Sequence, residues 1–89
     1  MIPNSRATQI LKFLYLQKRK VTASEITKVV NIDYRQIYTS LRILLAMGVV
    51  KNINIEKQYY YYIPIQKREE VMRKLERIEN ERRNELNRE

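Results

Sequence analysis

A single glycine, Gly48, occurs in the chain, and it stands where one hydrophobic period gives way to another. Before it, Ile37, Leu41 and Leu44 recur at intervals of four and three, the stripe of an amphipathic helix. After it, Val49-Val50-Lys51-Asn52-Ile53-Asn54-Ile55 runs with period two, as a strand does. A helix that ends in a left-handed residue favours glycine there, because no Cβ then meets the backbone. A lone glycine just past Met47 therefore marks a helix C-terminus leading straight into a strand, and nowhere else does the sequence signal such a need.

The rest of the chain is read outward from that seam. Asp33 is expected to cap the helix ending at Met47, with Gln36 in the reciprocal position of a capping box. Thr22-Ala23-Ser24-Glu25 is a stronger capping box and starts a short helix with Ile26, Val29 and Val30 on its apolar face. Asn31-Ile32-Asp33 forms the tight turn between the two. Upstream, Ser5 can cap a helix over residues 6–18, with Ala7, Ile10, Leu11 and Leu14 on one face and Phe13 at its edge. Tyr15 and Leu16 lie off that face on opposite sides. Lys18-Arg19-Lys20-Val21 connects it to the next helix and has room for one short strand.

Downstream, Glu56-Lys57-Gln58 reads as a turn and Tyr59-Tyr60-Tyr61-Tyr62-Ile63 as the returning strand, which Pro64 closes. The turn length is open by a residue, and with it which two tyrosines face inward. From Gln66 the chain reads as one charged helix. Val71, Leu75, Ile78 and Leu86 share a narrow stripe, with Met72 at its edge and Arg82 interrupting it. The fold class is α+β, mostly α, in one small domain plus a helical extension.

The charge follows the same division. The chain has 18 Lys+Arg against 10 Asp+Glu, a net charge of +8. Residues 1–65 hold ten basic and three acidic side chains, whereas residues 66–89 hold eight and seven. A basic body and a nearly neutral tail should do different work, and a polyanion is the partner the body invites. Without Cys or His there is no zinc site, disulfide, thiol nucleophile or imidazole base, and Glu25 and Asp33 are assigned to caps. No enzyme and no cofactor are expected. No apolar run nears the roughly 18 residues of a membrane span and no signal peptide is apparent, so the expectation is a soluble cytoplasmic, nucleoid-associated protein.

The order helix, short strand, helix, tight turn, helix, hairpin is that of a winged helix-turn-helix. Ile37-x-x-x-Leu41-x-x-Leu44-x-x-x-Gly48-Val49-Val50 resembles the recognition-helix-into-wing segment of winged-helix transcriptional regulators of the MarR and PadR kind. Residues 22–30 are similar to the first helix of their helix-turn-helix. The resemblance covers residues 6–65 and implies three helices, a two- to three-stranded β-wing and binding to double-stranded DNA. The wing is short and glycine-free with Lys57 alone near its tip, which weighs against deep minor-groove insertion. The long charged C-terminal helix is similar to the dimerisation helices of small archaeal winged-helix proteins. Eleven Ile, seven Tyr and many paired charges are compatible with a thermophile source.

If residues 34–47 form a recognition helix, Arg35, Gln36, Tyr38 and Thr39 are the candidates for reading base edges. Arg35 suits guanine and Gln36 suits adenine, each through two hydrogen bonds. Arg42, Lys18, Arg19, Lys20, Lys28, Lys51 and Lys57 are the candidates for phosphate contacts. An exposed Arg on a helix is often merely solvated, but the excess charge of the body makes that reading weaker for the group. The Tyr59–Tyr62 run admits a phosphotyrosine nucleophile or a stacking platform, yet strand packing explains it more simply.

The last helix either folds over its own domain or pairs with a second copy. Pairing is favoured, with Phe13, Leu16, Val71, Met72, Leu75 and Ile78 as its interface. The leading function is a sequence-specific dimeric regulator, most simply a repressor. A DNA-coating architectural or plasmid-partition protein and a winged-helix protein-interaction module are the alternatives. No small-molecule effector is expected.

Overall fold

A computed structural model describes residues 6–86, with backbone only at 82 and 84–86. The Ser5 cap and the Leu86 and Arg82 side chains therefore lie outside the described residues. Gly48 sits at φ 79°, ψ 3°, and its amide donates to the Leu45 carbonyl at 3.1 Å, ending the helix where the period change predicts. The elements run α1 (Arg6–Gln17), α2 (Ala23–Val29), α3 (Tyr34–Met47), β1 (Lys51–Ile55), β2 (Gln58–Tyr62), a 3-10 turn (Ile65–Lys67) and α4 (Arg68–Leu86). This is a mostly helical α+β chain with the layout of a winged helix-turn-helix.

The core forms where the apolar faces meet. Ile10, Leu11 and Leu14 of α1, Ile26 of α2 and Ile37, Leu41 and Leu44 of α3 are buried together with Val21, Val49, Val50, Tyr61 and Ile63. Two expected interface residues join them. Phe13 is taken into this core, and Val71 is fully buried there because the first turns of α4 fold back against α1. In α2 it is Val30, just past the last helical turn, that closes the core, while Val29 points outward and is 65% exposed. One residue is a 100° rotation on a helix, so the end of α2 decides which valine is buried.

The Thr22 capping box forms as expected. Thr22 Oγ1 accepts from the Glu25 N–H at 3.2 Å, and Glu25 Oε1 accepts from the Thr22 N–H at 3.2 Å. The Asp33 box does not. The Gln36 N–H that the Asp33 side chain would have bound donates to the Asp33 carbonyl instead, at 2.9 Å, so the first turn of α3 tightens on its own backbone.

β1 and β2 pair antiparallel with Ile55 opposite Gln58, leaving a two-residue turn of Glu56 and Lys57. Both have positive φ, 51° and 67°, as a type I′ turn requires. Lys18, just past α1, is also left-handed at φ 56°. Among the described residues four positions thus adopt the left-handed region and only one of them is glycine, which corrects the expectation that Gly48 alone needed it. On β2 only Tyr61 is buried, not two of the four tyrosines, because the hairpin stands away from the helices and every residue of β1 is exposed. Among the described residues β1 pairs on one side alone. The far edge of β2 is tied to Val21 by one reciprocal pair of hydrogen bonds, Val21 N–H to Tyr61 O at 2.9 Å and Tyr61 N–H to Val21 O at 2.6 Å. Where the connection had room for a short strand, Val21 supplies an isolated bridge instead.

Candidate nucleic-acid interface

α3 buries Ile37, Ser40, Leu41 and Leu44 and turns its other side to solvent. At 100° per residue, Arg35, Tyr38, Thr39 and Arg42 fall within an arc of about 100°, and all four are exposed. Gln36 lies outside this arc, half-buried at the rim beside exposed Ile43 and Met47. Of the four proposed base readers the structure therefore groups three and sets Gln36 at their edge.

The polar groups on that face are partly committed. The Thr39 hydroxyl donates to the Arg35 carbonyl at 3.0 Å, which leaves its methyl as an outward feature suited to a thymine methyl. The Tyr38 hydroxyl shares a hydrogen bond of 3.1 Å with that of Tyr34, and the rings meet edge-on at 4.9 Å. That bond, with some desolvation, pushes the Tyr38 phenol up to about 12, so it stays protonated. Burial raises the Tyr61 phenol as well. Tyr34 was not among the residues singled out from the sequence, although its four-residue spacing from Tyr38 is the signal that would have found it.

The phosphate candidates separate into groups. Arg42 and Lys28 are exposed on α3 and the last turn of α2, and Lys51 and Lys57 on the hairpin. Lys18, Arg19 and Lys20 instead gather with Tyr62, Ile63, Ile65 and Arg68 around a cavity of about 280 Å³. Arg19 is held by the Glu25 carboxylate at 2.7 Å, and that guanidinium, together with the Thr22 N–H, keeps the Glu25 carboxyl below its ordinary range. The negative Glu25 carboxylate sits at the start of α2, so a phosphate there would meet it as well as the helix amides.

α1 and α4 enclose a second concavity, a groove of about 430 Å³. Leu16, Met72, Leu75 and Ile78 line it, with Lys12 and Glu79 bridging its rim at 3.6 Å. Among the described residues no cluster of His, Cys, Asp or Glu could hold a metal ion, and no helix is long and apolar enough to cross a membrane.

Residues 7–68 match the sequence profile described as sugar-specific transcriptional regulator TrmB, a match that ends on the first residue of α4. No curated protein matches the chain. Among solved structures, the ST1889 protein from the thermoacidophilic archaeon Sulfolobus tokodaii is similar with a TM-score of 0.67 and 20% identity, covering 96% of this chain and 84% of that one. An ArsR-like transcriptional regulator from Rhodococcus sp. RHA1 gives 0.62 and 24% over 90% and 74% of the two chains. The adhesin competence repressor from Streptococcus pyogenes gives 0.66 and 13% over 98% and 64%. At these identities the likeness is one of fold.

Proposed function

The chain belongs to the TrmB family of transcriptional regulators, and on that premise we propose that it is a dimeric, sequence-specific repressor. It is a winged-helix DNA-binding protein, not an enzyme. In the proposed complex α3 lies in the major groove. Arg35 reads a guanine edge, Tyr38 and Thr39 make apolar or phosphate contacts, and Gln36 contributes from the rim. Arg42, Lys28, Lys51 and Lys57 hold the backbone. The observation that supports this most is the exposed arc of Arg35, Tyr38, Thr39 and Arg42 opposite a buried face of Ile37, Leu41 and Leu44 with Ser40.

Two copies pair through the α1–α4 groove, with Leu16, Met72, Leu75 and Ile78 in contact and Phe13 and Val71 supporting from within each core. Such a pair offers two recognition helices to half-sites about 34–36 Å apart on the nucleoid. Arg42, Lys28, Lys51 and Lys57, the cations assigned to the DNA backbone, do not line this groove, so pairing and DNA contact do not compete.

Selection from random duplexes followed by footprinting tests this. The expected result is one discrete, two-fold symmetric footprint. Arg35→Ala should weaken discrimination at one base position by about 1–3 kcal/mol. With six to ten phosphate contacts, log K should fall against log[salt] with a slope near −5 to −9. Cooperative spreading from a first site would instead identify a coating protein. No binding at low salt would identify a protein-interaction module.

A further inference from the structure

The Lys18-Arg19-Lys20 triplet does not spread along the recognition surface. With Arg68, which lies 48 positions further along the chain, it rings the cavity of about 280 Å³ at the root of the wing. No carboxylate lines that cavity. Like charges gathered at one concavity raise the local potential and concentrate anions there. Two of the cations are already positioned by aromatic rings. Lys20 Nζ lies 5.1 Å from the Tyr62 ring centroid, and the Arg68 guanidinium lies 4.4 Å from that of Tyr15 while donating to the Tyr15 carbonyl at 2.7 Å. Held side chains lose less entropy when a ligand arrives.

The interior of the cavity is not polar. Leu14 and Ile63 form buried walls, and Ile65, 80% exposed, stands at the rim. A bare inorganic anion would satisfy the cations and leave this apolar surface wet. A ligand with an anionic head and an apolar body would use both. None of the walls belongs to α2, α3 or the wing tip, so the cavity stands apart from the side chains assigned to base reading.

We propose that this cavity binds a small organic anion, a phosphate or carboxylate carried on an apolar or aromatic body. Its head sits among Lys18, Lys20 and Arg68, and its body lies against Tyr62, Ile63 and Ile65. The bound anion offsets positive charge that otherwise attracts duplex DNA, so its occupancy lowers DNA affinity. The site does not depend on α3 being the reading helix. It departs from the expectation of no effector, which rested on the scarcity of polar residues inside the chain.

Phenyl phosphate, inorganic phosphate and phenol are the probes, each titrated into the full chain and followed by amide NMR. Phenyl phosphate should shift residues 18–20 and 62–68 saturably and bind roughly tenfold tighter than inorganic phosphate, with no saturable shift from phenol. Lys20→Gln and Ile65→Asn both alter exposed side chains and should each weaken phenyl phosphate about fivefold or more, with melting unchanged. Saturating phenyl phosphate should also weaken a duplex measurably at low salt. Equal binding of the two phosphates, or shifts scattered over every lysine, overturns the proposal in favour of general surface charge. It is equally overturned if a duplex alone moves residues 18–20 and 62–68 and phenyl phosphate fails to compete, because the cluster is then a DNA backbone contact.

Discussion

Replacing Gly48 with alanine separates backbone conformation from packing, since at φ 79° a Cβ added there would meet no atom within 4 Å. The whole cost is then conformational. An L-residue in the left-handed region loses about 1–2 kcal/mol, while alanine restricts the unfolded chain and returns about 0.4–1 kcal/mol. The net is a loss of about 1 kcal/mol, or a fall in Tm of about 4–8 °C for a domain of this size. Thermal melts and urea titrations should agree, with an unchanged m-value, and duplex affinity measured well below Tm should be unaltered. Lys18→Gly is the mirror experiment, since Lys18 sits at φ 56° without being glycine. It should raise Tm by a similar few degrees. If Gly48→Ala melts within a degree of the parent, the left-handed penalty has been misjudged. If it melts more than about 15 °C lower, the space around the position is not open and the conformational account fails.

Other perturbations give equally definite outcomes. Lys57→Gly should relieve the strained turn and raise Tm by a few degrees while weakening duplex binding and flattening its salt slope by about one, read by melts and by titration at several salt concentrations. Glu25→Gln should destabilise at neutral pH. Because Arg19 and the Thr22 amide hold the folded carboxyl below its ordinary value of 4.5, that stabilisation is present above this value and lost as pH falls through the lower folded one. Parent and variant melts should therefore converge in acid. Leu75→Glu places a charge in the α1–α4 groove and should yield monomers by light scattering, with duplex affinity falling steeply and the isolated helix-turn-helix intact.

The sequence carried the helix-turn-helix in local signals that need no tertiary context. Gly48, the Thr22 box and the 37–41–44 stripe each name a boundary or a face by themselves. The exposed arc of α3 follows from the stripe by rotation. What stayed hidden depends on distant elements. Val71 is a core residue only because α4 returns to α1, and nothing in either segment states that return. Lys18, Glu56 and Lys57 adopt the left-handed region without the glycine or asparagine that advertises it, so no local signature was available. Val29, expected on the apolar face beside Val30, is exposed because the chain leaves the helix between the two. The anion cavity needed residues 18–20 and 68 to be seen side by side, while the triplet alone reads as one more phosphate-binding stretch.

The unequal edges of the hairpin have a mechanical consequence. Tyr61, buried and stitched to Val21, clamps the ribbon at its base, while among the described residues β1 pairs with β2 alone. A ribbon clamped at one end is a cantilever. Its compliance grows toward the free end, so the Glu56-Lys57 tip swings through the widest arc while the clamp at Tyr61 barely moves. Tyr61 is bonded to Val21, one residue before the Thr22 cap of α2, so the fulcrum of this lever is set at the entry to that helix. In the proposed complex the Lys57 charge at the tip would therefore follow a DNA backbone of variable groove width while the root of the hairpin stays fixed.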